Sequence, residues 1–127
     1  MKLILRTANA GKTQEAIKSA FEAAQHHEVM FVSDEMPYTE ILRRLTAFSS
    51  ENPAMQNRYI ISTALAQAKP EMFDDLEAFD QYGTIVLDVN YAMSRAPWIK
   101  VISRLEEAGF NVVATQMLVK PVAPTFH

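Results

Sequence analysis

The chain has 127 residues, of which 49 % are hydrophobic and 21 % charged, enough to bury one substantial core, and we read residues 1–127 as a single domain. A formal net charge of −3 gives no global electrostatic case for autonomous nucleic-acid binding, and the absence of Cys excludes disulfides, thiolate metal sites and Cys nucleophiles. No apolar run is long enough to span a membrane, and the first residues lead straight into a strand, so a cytoplasmic location is expected.

The first strand is Leu3 to Leu5, followed by a polar turn and then Gly11-Lys12-Thr13 at the start of a helix. This is the order of parts in a phosphate-binding loop. Ala8, Asn9, Ala10 and Gly11 would present backbone N–H groups to an anion, at the positive end of the helix that begins with Lys12. Lys12 would reach the β- and γ-phosphates, and the Thr13 hydroxyl would ligate Mg²⁺. Arg6 stands where the full motif has its leading Gly, so the match is incomplete. The alternative is a plain strand–turn–helix corner. Lys12 belongs to no apolar face, so replacing it with Ala is expected to abolish nucleotide affinity and spare the fold.

The helix continues to about Gln25, with Ala16, Ile17, Ala20, Phe21 and Ala24 on its buried face. His26 and His27 read as surface residues at its end. A second strand, Glu28 to Ser33, runs into Asp34 and Glu35. Pro37 opens a helix reaching about Phe48, with Ile41, Leu42, Leu45 and Phe48 inward. Asp34 and Glu35 either serve a ligand crevice at the strand's C-terminal end or only cap this helix.

Residues 49–57 are a loop, Arg58 to Ser62 is an edge strand, and residues 63–69 are ambiguous. Pro70 opens a helix with Met72, Phe73, Leu76 and Phe79 on one face, ending before Gly83. Thr84 to Asp88 is a buried strand ending in an acid, the Walker B arrangement in which Asp88 would hold the hydration shell of Mg²⁺. Pro97 begins a helix with Trp98, Val101, Ile102 and Leu105 inward and Gly109 past its end. Asn111 to Gln116 is the last clear strand, and Gln116 at its tip is a candidate γ-phosphate sensor. Two prolines make the tail from Val119 irregular or a short edge.

Strands and helices alternate throughout. The expected fold is α/β, a three-layer sandwich on a mainly parallel sheet with right-handed crossovers. Lys12, Thr13, Glu35, Asp88 and Gln116 all fall at strand C-terminal ends, where one crevice could collect them.

Over residues 2–118 the chain resembles the ATPase core of RecA-type proteins, and most closely DnaB-like replicative helicases. Their GKT loop, their S-L-E-M strand end with a following R-L pair, their I-D-Y-L-Q-L-M strand and their S-Q strand end correspond here to Gly11-Lys12-Thr13, VSDEM with Arg44-Leu45, LDVNYAM, and Thr115-Gln116. The resemblance implies a RecA-like P-loop core that binds ATP and Mg²⁺, with Glu35 as the catalytic glutamate and Gln116 sensing the γ-phosphate. It departs at Arg6, and at Tyr91 where the family has Gln. The family's DNA-binding loop, arginine finger and amino-terminal primase-binding domain have no counterpart in these residues. An arginine finger supplies about 10³ to 10⁵ in rate, so hydrolysis by this chain alone is expected to be weak or partner-dependent. Two further readings stand beside that one. The chain is a non-catalytic interaction protein that docks on a helicase or recombinase ring, or it is nucleoside kinase-like. The loop ANAGKT is similar to that of type II thymidine kinases, whose Cys-containing zinc segment is absent here.

Overall fold

The computed structural model describes residues 1–7, 11–90, 92 and 95–118, with only the backbone described at residues 7 and 118. Five strands, β1 (Lys2–Thr7), β2 (Val29–Ser33), β3 (Ile61–Thr63), β4 (Thr84–Asp88) and β5 (Asn111–Leu118), form one sheet in the order β1-β5-β4-β2-β3. Every pairing is parallel. Helices α1 (Lys12–Ala23) and α2 (Tyr38–Glu51) cover one face, and α3 (Ala96–Glu107) covers the other. The α/β three-layer sandwich with a parallel sheet expected from the alternating pattern is therefore present.

The period-2 alternation of the strands sorts side chains into two cores. Val29 and Phe31 of β2 and Val86 of β4 join Ala16, Ile17, Ala20 and Phe21 of α1 and Ile41, Leu45 and Phe48 of α2. Their neighbours Met30, Val32, Ile85 and Leu87 join Trp98, Val101, Ile102 and Leu105 of α3 on the opposite face, together with Phe73 and Phe79. β2 and β4 are buried at all five positions, which explains their nearly unbroken apolar character.

Several elements differ from the sequence reading for identifiable reasons. α2 runs to Glu51, Pro37 caps it from outside rather than opening it, and Leu42 is 39 % exposed rather than inward. The edge strand lies at Ile61–Thr63, and the tip strand reaches Leu118. The helix expected from Pro70 is instead two 3₁₀ turns, Pro70–Phe73 and Leu76–Phe79. Phe73, Leu76 and Phe79 recur every three residues, the repeat of a 3₁₀ helix. Asp75 separates the turns, its carboxylate accepting from the Glu77 N–H at 3.2 Å, a local bond that competes with a continuous helix.

His27 is not a free surface residue. Its ring packs over Gly83, and Nε2 lies 2.6 Å from the Thr84 hydroxyl at the N-terminal end of β4. A Cβ at Gly83 would come within 2.4 Å of His27 Cγ, so Gly83 is set by close approach and not by helix termination. Gly83→Ala is expected to displace the ring, break the Thr84 contact and cost about 1–3 kcal/mol, the range for overpacking, in a urea unfolding titration.

Candidate phosphate and cation site

α1 begins one residue after Gly11, which adopts φ 81° and ψ 22°. An L-residue with a side chain seldom adopts that conformation, so glycine is required here by its backbone rather than by crowding. The first turn of α1 has no side-chain cap. Its leading N–H groups therefore lack the local acceptor that Ser, Thr or Asp usually supplies. Ala8, Asn9 and Ala10 lie outside the described residues, as do Tyr91 and the tail from Val119.

The parallel sheet brings β4 to the mouth of this turn. Asp88, at the C-terminal end of β4 and only 2 % exposed, accepts from Lys12 Nζ at 2.7 Å and from the Thr13 hydroxyl at 2.9 Å, one on each carboxylate oxygen. Thr115 on the adjacent β5 completes the cluster. Its hydroxyl lies 3.1 Å from Asp88 Oδ1 and 2.9 Å from the Val89 carbonyl oxygen. The buried carboxylate is thus met by an ammonium and the Thr13 hydroxyl, with the one proton of Thr115 shared between Asp88 and the Val89 carbonyl, the partners a buried acid needs. This corrects one expectation. Lys12 is free of the apolar core, but it is the counter-charge of a buried acid, so its removal affects the fold as well as any ligand.

Beside this cluster lie the two acids at the end of β2. The register pairs Ser33 with Asp88, and the Asp34 N–H donates to the Asp88 carbonyl at 3.3 Å. Ser33 Oγ accepts from the backbone N–H groups of Glu35 and Met36, which turns the chain sharply as it leaves the strand. Asp34 Oδ2 accepts from the Asn90 N–H at 3.1 Å, whereas Oδ1 is buried without a partner. Burial pushes the Asp34 carboxyl above its ordinary 3.8; the Asn90 N–H opposes this most, Glu35 adds to it, Lys12 opposes it, and Asp88 adds least. Glu35 is bonded through its carboxylate to the side-chain amide of Asn90, and its carbonyl accepts from Gln67 at 3.1 Å.

The raised Asp34 value has a consequence for stability. The folded state binds this proton more tightly than the unfolded chain does, so Asp34 lowers stability as pH rises from 3.8 through its folded value, and the whole penalty stands at neutral pH. Asp34→Asn is expected to raise the unfolding midpoint at pH 7. The gain should disappear below pH 3.8 when melts are recorded across that range.

Of the residues singled out by the sequence, Lys12, Thr13 and Asp88 converge, and Glu35 stands beside them through Asn90. Among the described residues, Gln116 is not in the hydrogen-bond set around Asp88, which Thr115 joins. Its amide donates to the Met117 carbonyl at 3.1 Å, and its neighbour Thr115 takes that position. Asn90 and Thr115 were not predicted from the sequence as site residues. Their sequence signals are the place of Asn90 two residues after the strand-ending acid and that of Thr115 at the Ser of the family's S-Q strand end. Arg44, in the position of the family's R-L pair, is engaged by Glu40, which also takes Arg43 and whose carboxyl is thereby held down at about 2. Among the described residues no group of three or more His, Cys, Asp or Glu side chains is arranged to hold a metal ion. No helix among them is long and apolar enough to cross a membrane.

No protein-family model matches the chain, and no curated protein matches it. Among solved structures it is similar to a unique ATP synthase subunit, NeqB, from Nanoarcheaum equitans, with a TM-score of 0.48 and 15 % identity over 94 % of this chain. The match spans 39 % of that longer chain.

Proposed function

We propose that the chain binds a nucleoside triphosphate, ATP with Mg²⁺, as a P-loop protein of RecA/DnaB type acting in DNA replication or recombination, with hydrolysis that is weak or depends on a partner. One observation carries this reading. An ammonium and a hydroxyl from consecutive residues at an uncapped helix start meet a strand-ending carboxylate at the C-terminal edge of a parallel sheet. Such edges are where α/β sheets bind ligands, and helix starts are where they bind phosphate. On this reading a triphosphate takes over the Lys12 ammonium and the helix N–H groups, with Gly11 allowing close approach.

The donor set suits Mg²⁺. Thr13, Asp88 and the unpartnered Asp34 Oδ1 are all hard oxygens. Among the described residues too few acids converge for a cage built from protein alone. Mg²⁺ retains several waters and takes one or two carboxylates together with substrate phosphates. Thr13 and Asp88 would hold the ion or its waters, and Glu35 would orient the attacking water. A RecA-type or helicase ATPase is the proposed partner, and the cytoplasm the proposed compartment.

The test is thermal unfolding with and without Mg²⁺-ATP, Mg²⁺-ADP and Mg²⁺-GTP. At about a hundred times its Kd, a ligand stabilises by about 2.7 kcal/mol, a rise of several degrees for a domain of this size. A rise with ATP that is lost in Lys12→Ala supports the site. No rise with any nucleotide overturns it. That outcome favours a non-catalytic docking protein, a second reading with an observation of its own: Lys12, Thr13 and Asp88 satisfy one another without a ligand.

A further inference from the structure

We propose that Asn90 is a positioning residue that fixes the Glu35 carboxylate in the orientation needed to act on water at the site. This rests on the reading of Glu35 given above and gives a role to a residue that lies within the LDVNYAM stretch, where neither the motif nor the resemblance assigns one.

Asn90 follows Asp88 by two residues, just beyond β4, and is 7 % exposed. Three bonds to two neighbouring strands hold it. Its N–H donates to Asp34 Oδ2 at 3.1 Å, its carbonyl accepts from Met117 at 2.8 Å, and its side-chain amide donates to Glu35 Oε1. The backbone is therefore anchored to the β2 end and to β5, and the side chain is aimed by that anchoring. Val89, just before it, is a fully buried core residue, whereas the Asn90 side chain meets the Glu35 carboxylate. A carboxamide in that place has a donor to deliver.

Glu35 needs such a donor. Its backbone is fixed through Ser33 and Gln67, but its side chain is exposed and has three rotatable bonds. Holding a long flexible side chain in one rotamer costs conformational entropy, which a bond to an immobile partner offsets. A base oriented by a third group is a recurrent catalytic arrangement. Only one carboxylate oxygen is bonded to Asn90, so the other remains as an acceptor for water. The neutral amide also matters. Aspartate at position 90 would set a third negative charge against Glu35 and Asp34.

The test compares wild type, Asn90→Ala, Asn90→Asp, Glu35→Gln and the Glu35→Gln/Asn90→Ala double variant. Mg²⁺-ATP binding is read by calorimetry, and hydrolysis by single turnover with protein in excess. Asn90→Ala should slow hydrolysis by about tenfold to a hundredfold, the scale for outer partners of a reacting group, and leave the ATP Kd unchanged. Asn90→Asp, nearly isosteric and able to keep both backbone bonds, should slow it at least as much, and serves alone if the Ala variant does not fold. The double variant should be no slower than Glu35→Gln, because residues acting as one unit are not additive. A purely structural role would slow hydrolysis equally in both backgrounds, and that result overturns the proposal, as does an unchanged rate in Asn90→Ala. Absence of ATP binding or turnover by the wild type would instead overturn the reading of the site on which the proposal rests.

Discussion

Lys12→Ala is expected to destabilise the folded chain by about 3 kcal/mol, the lower end of the range for breaking a buried ion pair. The side chain removed is 14 % exposed, while the carboxylate left behind is only 2 % exposed. Asp88 would keep the hydroxyls of Thr13 and Thr115 but lose its cation. Asp88→Asn should cost less. It leaves an ammonium that can reach water on a flexible stem, and the new amide oxygen can still accept from Thr13. Adding Asp88→Asn to Lys12→Ala should therefore recover part of the loss. Urea unfolding of the two single variants and the double variant checks the order. If Asp88→Asn were the costlier change, the pair would not be a buried acid held by its counter-ion. The same series guards the ligand experiments, because a Lys12 variant that fails to bind ATP must first be shown to be folded.

Glu35→Gln should reduce hydrolysis by about 10² to 10⁴, the usual contribution of a positioned general base, with ATP affinity retained. The replacement keeps size and polarity, and an amide oxygen can still accept from Asn90. What is lost is the ability to take a proton. Gln116→Ala should have a smaller effect, because among the described residues it is Thr115 and not Gln116 that reaches Asp88. Single-turnover rates for the two variants decide the matter. A Gln116 effect larger than the Glu35 effect would move the chemistry from the end of β2 to the end of β5.

The parts of the fold legible in the sequence were those with strong periodicity. Unbroken apolar runs at 29–33 and 84–88 read as buried strands because both faces are covered, and the 3.6-residue repeat of α1 and α3 is set by one core face each. The segment at 70–82 read as a helix because a three-residue apolar repeat is close to a helical one. Nothing local reveals that Asp75 would interrupt it. Convergence of Lys12, Thr13 and Asp88 was legible because all three sit at strand ends or helix starts, which a parallel sheet gathers on one edge. The roles of Asn90 and Thr115 were not, since each depends on register between strands distant in sequence. The contacts of His27 are not legible for the same reason: its partners, Gly83 and Thr84, belong to a different strand end.

The sheet order carries a kinetic consequence. β1, which leads into Gly11 and Lys12, pairs with β5, so that Lys2 lies opposite Val113, and it has no neighbour on its other side among the described residues. β1 therefore has no strand to pair with until nearly all the intervening chain has been made and β5 is in place. Closing so long a loop is entropically slow, and parallel pairing of distant segments delays folding. On a ribosome, α1 and β2 would emerge early, yet Lys12 could meet Asp88 in a completed sheet only after β5 has been made. Acquisition of the site should thus coincide with the last folding step, and a chain arrested before residue 111 should retain helical content while lacking the edge that carries Lys12.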